Sequence, residues 1–161
     1  MVRLVMTLTL AMAALTFASL ARSLSSTYAV IVHRSNPTSS IGVTDLRAFF
    51  WGETKQWPHG AKVVLVERDL RSDVFQFLMQ HVLNTTAVEY QRRLANIEFR
   101  GEISVMVRIL NSDAAACKFV FNVPGSIALI ATGSLVLPEC GAVQLVTVDG
   151  KLPGDEKYGL R

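Results

Sequence analysis

Charge and histidine are scarce in this chain, and their scarcity removes several classes of function. Only 18% of the 161 residues are charged, with 16 basic and 13 acidic side chains and a net charge of +3. The charges are scattered rather than blocked, which argues against the basic stripe of a nucleic-acid binder. Three histidines, His33, His59 and His81, stand far apart with no metal-ligand spacing. The two cysteines, Cys117 and Cys140, have no CxxC neighbour and no nearby histidine, so thiol redox catalysis and zinc binding find no footing. The sequence also lacks a nucleophile elbow, a glycine-rich phosphate cradle, a paired-carboxylate motif, an internal repeat and a low-complexity tract. No catalytic residue, metal or cofactor is assigned, and the expectation is a protein that is not an enzyme.

Apolar residues, by contrast, make up 50% of the chain. Some belong to the first 21 residues. Met1-Val2-Arg3, an uncharged run from Leu4 to Leu20 and the small-x-small ending Ser19-Leu20-Ala21 read as a secretory signal peptide over 1–21. The run is also close to the shortest length that spans a bilayer, so an uncleaved anchor is the alternative. Removing Arg3 leaves 15 basic against 13 acidic residues, a modest balance that suits a small anion. A Ser-rich linker (22–27) precedes a single expected domain (28–161), in which no segment is long enough to cross a membrane. Export implies a periplasmic or otherwise secreted protein. In that oxidising compartment Cys117 and Cys140 are either bridged or two buried thiols.

Within the domain, apolar β-branched runs predict strands at 28–32, 62–66, 126–130 and 142–148. Helices are predicted from Thr44 to Phe50, from Ser72 through Leu83, from Thr86 to Asn96 and from Ser112 to Phe121, each opened by a residue whose hydroxyl can cap. The segment 104–110 is ambiguous between helix and strand. Strands separated by helices point to an α/β fold with a largely parallel sheet covered on both faces. Within 25 residues, Asn36 to Gly60 hold Phe49, Phe50, Trp51 and Trp57 among turn residues and no obvious catalytic group, which reads as scaffold.

Asn36-Pro37, Thr44-Asp45-Leu46, Phe50, Gly52 and Trp57 resemble the "NP…L…L..IF.G…W" segment of phosphate-type periplasmic substrate-binding proteins. Phe75, Phe99-Arg100-Gly101 and Pro124-Gly125-Ser126-Ile127 resemble that family's "F", "F.G" and "PGAIGY" landmarks, in the same order. Asp149-Gly150 through Tyr158-Gly159-Leu160 is similar to its closing "DG…P…Y.L" segment. The resemblance implies one lobe of the type II periplasmic-binding fold, with a mixed, mostly parallel sheet. It implies an exported solute-binding protein for a phosphate-like oxyanion, associated with ABC-type transport. Full-length members have two lobes, and this chain has length for about one. The alternative is an orphaned lobe acting as an interaction or sensing module, docked on an envelope transporter, porin or receptor.

Where the family carries "SGT" before its long helix, this sequence has Asp69-Leu70-Arg71 and then Ser72. Asp69 replaces a hydroxyl donor with a carboxylate that only accepts, whereas Arg71 can pair with an oxyanion in bidentate fashion. The candidate anion site therefore comprises Arg68, Arg71 and Ser72 at a helix N-terminus. Hydroxyls of Ser39 and Ser40 and the Gly125-Ser126 strand entry are further candidates. The competing reading is that Ser72 only caps its helix, the arginines pair with Glu67, Asp69 or Asp73, and nothing binds.

Overall fold

The structure, a computed structural model, describes residues 27–100 and 105–161. The expected signal segment 1–21 and linker residues 22–26 lie outside the described residues. Six strands form one sheet: β1 (Tyr28–Val32), β2 (Ser40–Ile41), β3 (Val64–Arg68), β4 (Met106–Leu110), β5 (Ser126–Ala131) and β6 (Gln144–Val148), in the order β2-β6-β1-β5-β3-β4. β1 runs antiparallel to both neighbours, β5 and β6, while β2–β6, β3–β4 and β3–β5 are parallel pairs. The α/β class and the mixed, mostly parallel sheet both hold. The ambiguous segment is strand β4, and the second strand lies two residues later than expected, so Glu67 and Arg68 belong to β3 and not to a loop.

The helices are α1 (Val43–Phe50), α2 (Asp73–Phe77), α3 (Ala87–Phe99) and α4 (Asp113–Asn122). α2 continues as a π-helical turn, Leu78–Val82, closed by Leu83 N–H donating to Leu78 O at 2.9 Å. Ser72, Thr86 and Ser112 cap as their positions suggest, each hydroxyl accepting from the amide three residues on. Thr44 does not cap. Helix α1 starts two residues earlier than a Thr44 cap would place it, after Gly42, and its first amide, Val43 N–H, donates to Asp149 Oδ1 at 3.2 Å. A carboxylate from a distant turn thus replaces the local hydroxyl.

Strand period two divides the core. Tyr28, Val30, Val32, Leu65, Ile127 and Leu129 face α1, α2 and α3, while Ala29, Ile31, Val66, Ala128 and Ile130 face α4 and the turns after β5. Both faces of β1 are therefore buried, which is why it reads as an unbroken apolar run. The aromatic cluster is packing. Phe50 is fully buried, Phe49 lies 4.6 Å from Trp57 between ring centroids, and Trp57 Nε1–H donates to Gly125 O at 2.8 Å. Gly125 has φ +81°, and a Cβ there would lie 2.1 Å from Lys62 O, so this close approach requires glycine.

Cys117 and Cys140 form a disulfide with Cα atoms 4.9 Å apart, joining α4 to the 3-10 turn Pro138–Cys140. The bridge sits in the α4-side core and closes a separation of 23 residues. Chain entropy alone predicts that Cys117→Ser with Cys140→Ser lowers stability by about 3 kcal/mol. Urea unfolding of the double variant against the oxidised protein checks it. An unchanged midpoint would remove the bridge from any stabilising role.

Candidate functional site

At the end of β3 the strand pleat sends consecutive charged residues to opposite faces. Glu67 follows Leu65 toward α3, and Arg68 follows Val66 toward α4. Arg68 forms a close hydrogen-bonded ion pair with Asp113, the first residue of α4. Its Nε donates to Leu110 O at 3.2 Å and its second terminal nitrogen to Asn111 O at 3.0 Å. Asp113 also accepts from Ala131 N–H at 3.2 Å and from the Ser134 hydroxyl at 2.6 Å. Arg68 is thus committed to a junction of β3, β4, α4 and the end of β5. The alternative pairing with Glu67 does not occur, while the one with Asp69 is present as a longer ion pair at 3.9 Å.

The loop that follows is organised by its own polar groups. Asp69 Oδ1 accepts from Arg71 N–H at 3.1 Å, and the Ser72 hydroxyl donates to Asp69 O at 2.7 Å while accepting from Phe75 N–H at 3.2 Å. A hydroxyl has one proton, so Ser72 has no donor left in this arrangement. Arg71 differs: its side chain is exposed and its guanidinium has no partner among the described residues. Of the three residues expected to converge on an anion, Arg71 alone presents free donors.

The remaining candidates lie elsewhere. Ser126 registers with Val64, four residues before Arg68 along β3 and roughly 13 Å away. It is fully buried and donates to Val123 O at 2.6 Å, tying off the end of α4. Ser40 is level with Arg68 but on β2, four strands from β3 in the sheet order, roughly 19 Å across. Ser39 is exposed beside it, its carbonyl accepting from Thr147 N–H at 3.0 Å. Arg68, Arg71 and Ser72 are adjacent; Ser39, Ser40 and Ser126 do not join them. Among the described residues no group of His, Cys, Asp and Glu is placed to hold a metal, and no helix is long and apolar enough to cross a membrane.

Glu67 is the group that reading along the chain misses. It is 4% exposed and accepts from the Tyr90 hydroxyl of α3. Burial pushes its carboxyl up to about 7, the Tyr90 hydrogen bond opposing only part of that. Burial first, then the charge of Glu67 and the shared hydrogen bond, pushes Tyr90 well above the ordinary phenol range. The sequence signal was available: β3 continues for two more residues, and Glu67 shares the parity of buried Leu65.

No protein-family model matches this chain, and no curated protein does. Solved structures do. An ABC-type phosphate transport receptor from Vibrio cholerae superimposes with TM-score 0.60 at 17% identity, over 80% of this chain and 48% of the receptor. PstS from Borrelia burgdorferi gives 0.67 at 18%, over 84% and 54%. A phosphate-bound structure from Clostridium perfringens gives 0.61 at 19%, over 79% and 46%. The fold resembles that of phosphate-type ABC-transporter binding proteins. The chain spans about half the length of the proteins it matches, which corresponds to a single lobe.

Two outcomes follow from β3. Asp113→Ala leaves Arg68 largely buried without its counter-charge and should cost about 3–5 kcal/mol in denaturant unfolding. Glu67 has a folded-state pKa of about 7 against an ordinary 4.5. Its contribution is therefore fully present below pH 4.5 and is lost as pH rises to about 7, a decline on the order of 3 kcal/mol. Glu67→Gln retains an acceptor for Tyr90 and should flatten that decline. An identical pH–stability profile in the variant would refute the assignment.

Proposed function

We propose that the protein is an exported, non-catalytic binding lobe that takes a small phosphate-like oxyanion at the loop between β3 and α2. The observation that carries this reading is Arg71, a free and exposed guanidinium at the entrance of a Ser72-capped helix. It supplies two parallel donors where a tetrahedral oxyanion can accept both. Arg68, paired with Asp113, fixes the end of β3 from which this loop departs. The likeness to a Vibrio cholerae phosphate transport receptor and to a phosphate-bound Clostridium perfringens structure supports the ligand class. A periplasmic setting and an ABC-type transporter as partner accord with the same likeness. The disulfide also suits an oxidising compartment.

A second reading, an interaction or sensing lobe in the envelope, is favoured by a specific observation at the sheet edge. β4 ends the strand order, and its Met106 and Ile109 are 53% and 59% exposed, beside Leu70 at 41%. An unpaired edge with exposed apolar side chains suits a strand or apolar segment of a transporter, porin or receptor.

Thermal unfolding of the full chain in a non-phosphate buffer, titrated with phosphate, sulfate and chloride, separates the readings. Phosphate at about 100 times its dissociation constant should add about 2.7 kcal/mol to stability. Arg71→Ala should weaken that effect by up to about fivefold in concentration, the size expected of a solvent-exposed charged contact, with the fold unchanged. No shift beyond the chloride control removes the oxyanion reading and leaves the interaction lobe.

A further inference from the structure

A second cavity opens on the other side of β3 from the Arg68 network. It has a volume of about 350 Å³ and lies between α3 and the β3–β4 surface, at the small end of ligand-sized pockets. Phe75, Leu94 and Val107 are among its apolar walls, and Glu67 and Glu98 also line it. Among the described residues no lysine or arginine does. Glu67 is 96% buried by its 4% exposure, and Tyr90 donates to its Oε1 alone. No other described side chain donates to that carboxyl. The cavity therefore presents a desolvated carboxyl acceptor among aromatic and aliphatic walls, with a second carboxylate and no competing cation.

From this geometry we propose that the cavity is a binding site for a small organic amine, its ammonium on Glu67 and its apolar or aromatic body against Phe75 and Leu94. The charge complementarity is local: an alkylammonium supplies the donors that Glu67 lacks and compensates its burial, as a carboxylic acid or alcohol does not. The exposed arginines Arg92 and Arg93 of α3 line the neighbouring groove instead. Arg93 is paired with Glu53 at 2.7 Å and stacked over Trp51 at 4.6 Å, and exposed charges of this kind are screened by salt. The site differs from the oxyanion reading in its chemistry, since Glu67 offers an acceptor and Arg71 a donor, although Leu70 of the β3–α2 loop also lines the cavity.

The test is calorimetric titration of the full chain with 2-phenylethylamine, 2-phenylethanol and 3-phenylpropanoate at one pH and ionic strength. Saturable binding of the amine is expected, with the alcohol and the acid weaker by about tenfold or more. Glu67→Gln, its fold checked by circular dichroism, should abolish the preference for the amine. Leu94→Trp keeps Glu67 but fills the cavity, and should abolish binding altogether, which keeps the site testable if the first variant does not fold. Failure of the amine to bind, equal affinity for alcohol and amine, or undiminished amine binding in Leu94→Trp overturns the site. Phosphate titrated alongside reports on the β3–α2 loop separately.

Discussion

The Arg68–Asp113 ion pair is the constraint around which the C-terminal end of the sheet is organised. Asp113 begins α4, so its carboxylate lies at the positive end of that helix while also accepting from Arg68, Ala131 N–H and Ser134. Arg68 in turn donates to the carbonyls of Leu110 and Asn111, where β4 gives way to α4. Two side chains, one from β3 and one from α4, thereby satisfy polar groups at the end of β4, at the end of β5 and in the turn that follows it. A partly buried pair with this many additional hydrogen bonds offsets its own desolvation. The consequence for function is direct, because the guanidinium that the sequence places first in an anion site is already the centre of a structural network.

That network also shows where reading the sequence reaches its limit. Ser72, Thr86 and Ser112 were legible as caps because capping is local: the hydroxyl and the amide it meets are three residues apart. The apolar runs of β1, β3, β5 and β6 were legible because burial imposes a pattern on each strand by itself. Arg68 finds its partner 45 residues away, and Glu67 finds Tyr90 at a separation of 23, so neither pairing leaves a local signal. Thr44 failed as a cap for the same reason. A carboxylate 106 residues distant, Asp149, meets the first amide of α1 instead. Some resemblance landmarks fared better because they are packing residues: Trp57 and Gly125, named separately along the chain, meet in one hydrogen bond, whereas Phe99 is exposed and Gly101 lies outside the described residues.

Half-length bears on both functional readings through geometry. A receptor with two lobes can surround an anion, desolvate it and satisfy it from both sides. A ligand held by one lobe alone would stay open to water on one side, where the gain from each charged contact is reduced by solvent screening. Arg71 is exposed in this way, so the β3–α2 loop alone is suited to a weak or rapidly exchanging anion. A partner that covers the loop would strengthen the contact by excluding water, and the exposed apolar residues Leu70, Met106 and Ile109 lie on that loop and the adjacent edge strand. The two readings therefore concern neighbouring surface, since Leu70 precedes Arg71 in the β3–α2 loop.

Residues 67 and 68 are neighbours in sequence with opposite charges, yet they do not pair, because alternate side chains leave opposite faces of a strand. On one face the chain surrounds its cation with carbonyls and a carboxylate until little positive charge is left unspent. On the other it leaves a carboxyl with a single donor beneath an apolar cavity. Burial with full hydrogen bonding fixes structure, whereas burial with partial hydrogen bonding stores an electrostatic demand that a proton or a ligand can meet. Glu67 meets it with a proton over the range in which its pKa is raised to about 7. Any cation that displaces that proton must enter through the cavity beside α3, so the chemistry open to Glu67 is separated by the strand from the network that holds Arg68.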